Sequence, residues 1–343
     1  MKKLTLLILT LVLSYSTKAQ NLDVLLLASD DASLLFQNYM TPVMNGMSYS
    51  LNDGWYTTAK THKKLGFDLT INVSTAIVPK SSRTFLFNTA DYQYLSLESG
   101  NSEIQTVMGG NNNSKIGVRI PYENGNYKVA EINMPDGVGG DLPLNAVPSP
   151  MIQASVGMPF KTDISLRILP KINTNDVDGS MFGIGIKHDL MQYFGPLDKL
   201  PLNVALFAGY TTMTSTYNLQ KVSTLAGNNQ EATFKLNAFT IQAVASLDFP
   251  IITLFGSVGY DKGNSTLKIK GSYNWNYDIK DSNNNVVGTI AESVTDPINM
   301  DFNANGVRGT LGARFNLGFF KIYGDYTLKE YNTVSAGIAF SFR

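Results

Sequence analysis

Cysteine is absent from the 343 residues and histidine occurs only twice. Without a thiol there are no disulfides, no thiolate metal sites, no cysteine nucleophile and no lipoprotein anchor on a lipidated cysteine. Charge is scarce as well: Asp, Glu, Lys and Arg make up 16% of the chain, against about 25% in an average soluble domain. The signs balance, Lys+Arg 27 against Asp+Glu 27, so no basic stripe is available to neutralise phosphates and nucleic acid gains no support as a partner. No apolar run reaches the roughly 18 residues of a helical membrane span. The hydrophobic fraction is nonetheless an ordinary 43%. Little charge with ordinary apolar content suits a chain whose surroundings are not all water.

What is present begins with an address. "MKKLTLLILTLVLSYSTKAQ" has a basic start at Lys2 and Lys3, an apolar run from Leu4 to Leu13, and then small and polar residues. A run of about ten apolar residues suits a secretory signal and is too short to span as a helix. Residues 1–19 are read as the signal, with cleavage near Ala19-Gln20, where Thr17 and Ala19 take the −3 and −1 places. Three readings survive: a soluble periplasmic or secreted β-protein, a surface fibre or adhesin, and an outer-membrane β-barrel.

Residues 20–62 have a texture of their own. Leu25, Leu26, Leu27, Ala32, Leu34, Leu35 and Tyr39 recur at helical spacing, and Ser29, Asp30 or Asp31 is placed to cap a short helix. Pro42 is expected to end or kink it, while Asn45-Gly46 and Asn52-Asp53-Gly54 read as turns. The segment is too short to hold a core alone.

From Leu65 the period becomes two. Leu65, Phe67, Leu69, Ile71 and Val73 share one face, and the same alternation recurs near 150–158, 162–170, 180–189, 201–213, 236–249, 251–279, 304–317, 319–328 and 333–342. If both ends of the 63–343 unit lie on one side, the connections there are short. Those on the other side are longer and rich in Asn, Ser, Gly and Asp, with "KEYN" the exception. That sorting of loops is the habit of outer-membrane barrels. The face opposite the apolar one carries Asp68, Gln153, Lys187, Asn203, Gln242, Arg308 and Arg314, which belong in a lumen because charge on a lipid face costs several kcal/mol near the midplane. Tyr193, Phe194, Tyr210, Phe249, Phe319, Tyr326, Tyr331 and Phe340 fall near strand ends, as interfacial girdles do. The expected fold is therefore all-β: a transmembrane, antiparallel, up-and-down barrel with an even count of 10–14 strands and a short helical or irregular N-terminal hatch. Residues 81–148 read either as further hairpins or as an extracellular excursion.

The signal ending "KAQ", the stretch "NYMTPVMNGMSYSLNDGWYTTAKTHKKLGFDLTI", the middle "SPMIQASVGMPFKTDISLRILPKI" and the end "SAGIAFSFR" resemble an uncharacterised outer-membrane barrel family of the Bacteroidota. That family is in turn similar to the long-chain fatty-acid and hydrocarbon channels of the outer membrane, in which a short N-terminal hatch sits inside the barrel. The channels' hatch carries an Asn-Pro-Ala signature where this chain has Thr41-Pro42. The resemblance implies a passive channel for small hydrophobic molecules, with an N-terminal plug. The alternative is a structural or surface-interaction barrel with a closed lumen.

Candidate ligand contacts lie in the hatch, at Phe36, Tyr39, Met40, Met44, Met47 and Trp55, since thioether and aromatic side chains adapt to varied apolar ligands. The competing explanation is that these side chains pack the plug against the wall. No catalytic, cofactor or metal residues are assigned. His188 shares parity with lipid-facing residues, His62 reads as a solvated junction residue, and no G-x-S-x-G occurs. "NTNDVDGS" at 173–180 resembles a calcium loop but lacks its distal glutamate and reads as a plain turn. The expected partners are outer-membrane lipid, the barrel assembly machinery through the C-terminal strand, and a small hydrophobic ligand.

Overall fold

The computed structural model describes residues 28–173, 177–195, 201–219 and 226–342. In chain order it contains helix α1 (Ser29–Leu51), strand β1 (Phe67–Ile77), five short strands β2 (Thr84–Leu86), β3 (Leu95–Ser99), β4 (Glu103–Gln105), β5 (Lys115–Pro121) and β6 (Tyr127–Asn133), and then the longer β7 (Ala146–Met158), β8 (Thr162–Asn173), β9 (Val177–Asp189), β10 (Leu202–Asn218), β11 (Ala226–Asp248) and β12 (Ile252–Lys280). The hairpin strand β13 (Val286–Thr295) precedes β14 (Ile298–Leu317), β15 (Phe320–Leu328) and β16 (Thr333–Phe342).

Ten of these close a barrel. The hydrogen-bonded order β11-β10-β9-β8-β7-β1-β16-β15-β14-β12 returns to β11, and every pairing is antiparallel. Closure leaves no strand edge unpaired, the condition for β-structure in hydrocarbon. The expected strands are all present, and the open choice over residues 81–148 resolves in favour of the excursion. The mouth where β1 begins and β16 ends is here termed the inner end; its turns at 159–161, 249–251 and 318–319 are short as expected, but the β9–β10 connection there spans 190–201, longer than the outer β8–β9 link at 174–176.

The barrel is inside-out relative to a soluble protein. Ile184 and Ile186 on the outer surface are 47% and 50% exposed, whereas Arg167, Gln153 and Arg308 of the lumen are buried. The apolar side chains at every second strand position face outward, where only hydrocarbon would shield them. An aromatic rim at the inner end includes Phe67, Phe319 and Phe342, whose rings stack at 5.0 Å (Phe67–Phe342) and 6.2 Å (Phe319–Phe342).

At the outer end the wall outgrows a membrane. β12 runs for 29 residues, where a tilted crossing strand needs about 9–11. Its far half pairs with β13 and β6, and β6 continues through β5 to β3. This builds a cap over the outer mouth.

Two sequence expectations for the hatch are corrected. The helix does not end at Pro42 but runs its full 23 residues from Ser29 to Leu51, through Asn45-Gly46 as well. Proline removes one intrahelical hydrogen bond, yet here cap and barrel surround the helix and hold it, and Thr41 Oγ1 donates to the Gln37 carbonyl at 2.7 Å. Gly46 permits contact with the wall, since a Cβ there would lie 2.7 Å from a Val147 methyl. Nor does Ser29, Asp30 or Asp31 cap the helix. It begins after Ala28 with no side-chain cap, and the Asp31 carboxylate instead accepts from the Gln93 and Tyr94 amides of the cap at 3.1 and 2.7 Å.

β16 pairs with β15 on one side and β1 on the other, so it is the seam of the barrel. Deleting residues 333–343 is expected to abolish insertion. A deletion protein that still shows heat-modifiable mobility in the outer-membrane fraction would refute this.

Candidate functional site

The chain from Ala28 to His62 threads the whole lumen. At its outer end Asp31 is tied to the cap. Further down, Ser50 bonds Ser149 of β7, and at the inner end Thr58 meets Ser246 of β11 and His62 meets Asp163 of β8. The plug therefore enters from the outer end and leaves at the inner one, just before β1.

Its upper part is an apolar seal. Phe36, Tyr39, Met40, Met44 and Met47 are buried in one core with Ile104, Val107, Met108 and Ile132 of the cap and Met181, Leu236, Met300 and Phe302 of the wall. Five of the six expected ligand contacts thus share a single packed cluster. Trp55 lies elsewhere, in a smaller cluster with Ala59, Ala205, Phe207 and Val244.

Trp55 has a seat of its own. The Arg167 guanidinium carbon stands 3.7 Å from the centroid of the indole, a cation–π stack. Arg167 donates to the Leu51 and Asp53 carbonyls, each at 2.9 Å, and to Gln153 Oε1 at 3.2 Å, while Gln153 Nε2 donates to the Trp55 carbonyl at 2.9 Å. On its other side the indole lies along three lumen-facing glycines of β9 and β10. A Cβ at Gly183, Gly185 or Gly209 would come within 3.1, 3.0 and 2.9 Å of ring atoms. The glycines of "MFGIGI" are therefore a shelf for the plug.

Between seal and shelf sits the strongest electrostatic feature. Asp53, in the turn that ends α1, pairs with Arg308 of β14 and with Lys329 Nζ at 2.7 Å. Asp261 of β12 pairs with the same two cations at 3.2 and 3.1 Å. All four side chains are essentially inaccessible, so two carboxylates and two cations form a neutral square in a dry interior. Lys329 reaches in from the short outer turn "KEYN". There Tyr49 also donates to Glu330 at 2.6 Å and packs on Tyr331 at 5.5 Å. The turn is short because it is tucked onto the plug, and Tyr331 belongs to this contact and not to an aromatic girdle.

At the inner end His62 is not the solvated junction residue expected from sequence. Its two ring nitrogens contact Asp163 at 3.0 Å and Asp68 at 3.2 Å, and its backbone N–H donates to Asp163 at 2.9 Å. Lys187 completes the clasp on Asp163 at 3.1 Å and donates to the Lys60 carbonyl at 2.9 Å. Burial disfavours the imidazolium, but the two carboxylates outweigh it and lift the pKa to about 9. His188 lies on the rim, in contact with Thr162 at 2.8 Å and Tyr193 at 3.0 Å.

Parity had already placed Gln153, Lys187, Gln242, Arg308 and Arg314 in the lumen, and they are there. Asp53, Asp163, Arg167, Asp261 and Lys329 were missed. Arg167 stands between outward-facing Leu166 and Ile168, so parity carried that signal, whereas Asp53 and Lys329 lie in turns with no period. Among the described residues no group of acidic or histidine side chains is arranged to hold a metal, and residues 174–176 of the calcium-like stretch lie outside them.

The family model for DUF6588, a family of unknown function, matches residues 1–342. The chain belongs to that family. No curated protein matches it. Among solved structures, the family member is similar to the translocator domain of the autotransporter NalP from Neisseria meningitidis (11% identity, 91% of this chain and 97% of that one, TM-score 0.26). It is also similar to the outer membrane protease OmpT from Escherichia coli (11%, 85% and 100%, 0.29) and to the P. putida toluene transporter TodX (7%, 91% and 94%, 0.23). Likenesses at TM-scores this low fix no function.

Two outcomes follow for the plug. In a Trp275→Phe background Trp55 is the sole tryptophan, and its emission reports plug seating during urea titration. Asp53→Asn strands the cations and should weaken seating by about 3–5 kcal/mol. Adding Lys329→Met restores neutrality and should recover part of that loss, whereas further loss would refute the neutral square. The second concerns pH. Because the His62 pKa is raised on folding, its contribution is complete below the unfolded value of about 6.5 and is lost as pH rises through about 9. Hydrogen exchange of the His62 amide, corrected for intrinsic rate, should show protection falling across that window, and a flat profile would count against the clasp.

Proposed function

We propose that this DUF6588 protein is an outer-membrane barrel whose lumen is sealed by its own N-terminal segment, and that it acts through the cap on its outer face, without catalysis. The observation that carries the reading is the seating of residues 28–62. An apolar core, a neutral square of buried charges, a stacked indole and an ionic clasp follow one another along the lumen axis. Four separate anchors suit a permanent closure better than a gate, because opening would strand several buried charges together.

Outer-membrane residence is supported by the apolar belt around a polar interior and by the extra strands and excursion gathered at one end of the wall. A signal over residues 1–19, cleaved near Ala19-Gln20, belongs to this proposal, as do membrane lipid around the belt and assembly machinery engaging β16.

A second reading, a passive channel for small hydrophobic molecules such as fatty acids or hydrocarbons, draws on the pliable sulfur and aromatic side chains of α1 (Phe36, Tyr39, Met40, Met44, Met47) and on Trp55. It requires displacement of α1 from its packed core. Uptake by a deletion strain and its complemented parent separates the two. The closed-barrel reading expects equal uptake of labelled palmitate, hexadecane and toluene, and a several-fold drop on deletion would overturn it in favour of the channel.

A further inference from the structure

Below the plug, a cavity of about 210 Å³ opens between residues 54–63 and the wall at the inner mouth. Trp55, Tyr56 and Phe207 form its floor toward the middle of the barrel, and Lys63, Lys321 and Ser341 stand at its rim. Its charges do not balance. Six cations line it (Lys60, His62, Lys63, Lys187, Arg314 and Lys321) against two carboxylates, Asp68 and Asp163.

Asp163 is fully engaged, and Asp68 is engaged through one oxygen, its buried Oδ1 being left without a partner. His62 contacts each of them, and Lys187 takes Asp163. Arg314 stands 3.7 Å from Asp248 and donates to Thr57 and Thr253 at 3.0 and 3.3 Å, with its buried Nε left without a partner. Among the described residues Lys60, Lys63 and Lys321 make no ion pair. Lys321 Nζ donates to the Gly318 carbonyl at 2.7 Å, which leaves it two protons.

The contrast with mid-barrel is informative. Within the square, Arg308 and Lys329 meet Asp53 and Asp261. At the inner mouth, positive charge is left over inside a concavity with low-dielectric walls, an arrangement that focuses the field and concentrates anions. Hydroxyls of Thr61 on the plug and of Thr70 and Ser155 on the wall also line it, while Ser165 Oγ already donates to Ser155 at 2.9 Å. The volume lies below the roughly 300–1,000 Å³ of pockets for drug-sized ligands, which leaves out a long acyl chain or a polymer segment.

We propose that the inner mouth is a binding site for a small oxyanion, held by Lys321, Lys63 and Arg314 against the aromatic floor. The site lies on the inner side of the plug, so it stands whether or not the barrel transports anything. A small oxyanion has two sources, a short organic acid or inorganic phosphate, and the test takes one probe from each.

The experiment is titration calorimetry of the full chain in detergent with succinate, with inorganic phosphate, and with succinamide as the uncharged control. Saturable binding of at least one anion is expected, weakening with added salt, and none of succinamide. Whichever anion binds identifies the source. Lys321→Gln should weaken binding at least tenfold, while Lys235→Gln, on the outer half of β11, should leave it unchanged. Heat-modifiable mobility checks each fold. If Lys321→Gln fails that check, Lys63→Gln, which lies outside every strand, carries the same expectation. Absence of binding by both anions, equal binding of succinamide, or full affinity in the folded lysine variant would overturn the site.

Discussion

The neutral square of Asp53, Asp261, Arg308 and Lys329 is the constraint on which the rest of the interior depends. Each of its members would be intolerable alone in a dry lumen, because an unpaired buried charge costs several kcal/mol. Together they tie the end of α1 to β12, to β14 and to the turn before β16. One aspartate therefore fixes the height of the plug. From that height follow the depth of the apolar seal above it and the position of Trp55 below it.

The two kinds of packing divide the work. Above the square the helix is held by non-directional burial of methionine and aromatic side chains, which sets no sharp register. Below it the chain is irregular and is held by directed contacts: Arg167 on two carbonyls, Gln153 on a third, and Lys187 on two more. An irregular strand inside a barrel must place its backbone polar groups on partners, and the lumen side chains supply them. Several of the chain's few charges, among them Arg167, Lys187, Asp261 and Arg308, do structural duty on the inner face of the wall.

Much of this was legible beforehand. The ten strands announce themselves by a period of two, because one face meets hydrocarbon and the other meets polar atoms. The same parity puts Arg308 and Lys187 inside. Pro42 misled because the rule for proline describes a helix that water can invade, and this helix is enclosed. Asp53 looked like a turn former and is one, as Gly54 with its positive φ of 67° confirms. Nothing local says that its carboxylate meets side chains more than two hundred residues away. Lys329 hid in the same way, in a turn whose unusual shortness was the single clue.

The direction in which the plug runs bears on how the molecule is made. α1 precedes β1 in the chain, yet it touches β14 and β12, strands that come late in synthesis. Its hydrogen bonds to Asp301 and Asn305 close loops of 264 and 256 residues. Contacts of such sequence separation are slow to form. The wall also closes only when β16 finds β1, the strand the plug leads into. The seam that closes the wall thus lies next to the strand on which the plug ends, and the plug's own partners lie on strands near the other end of the chain.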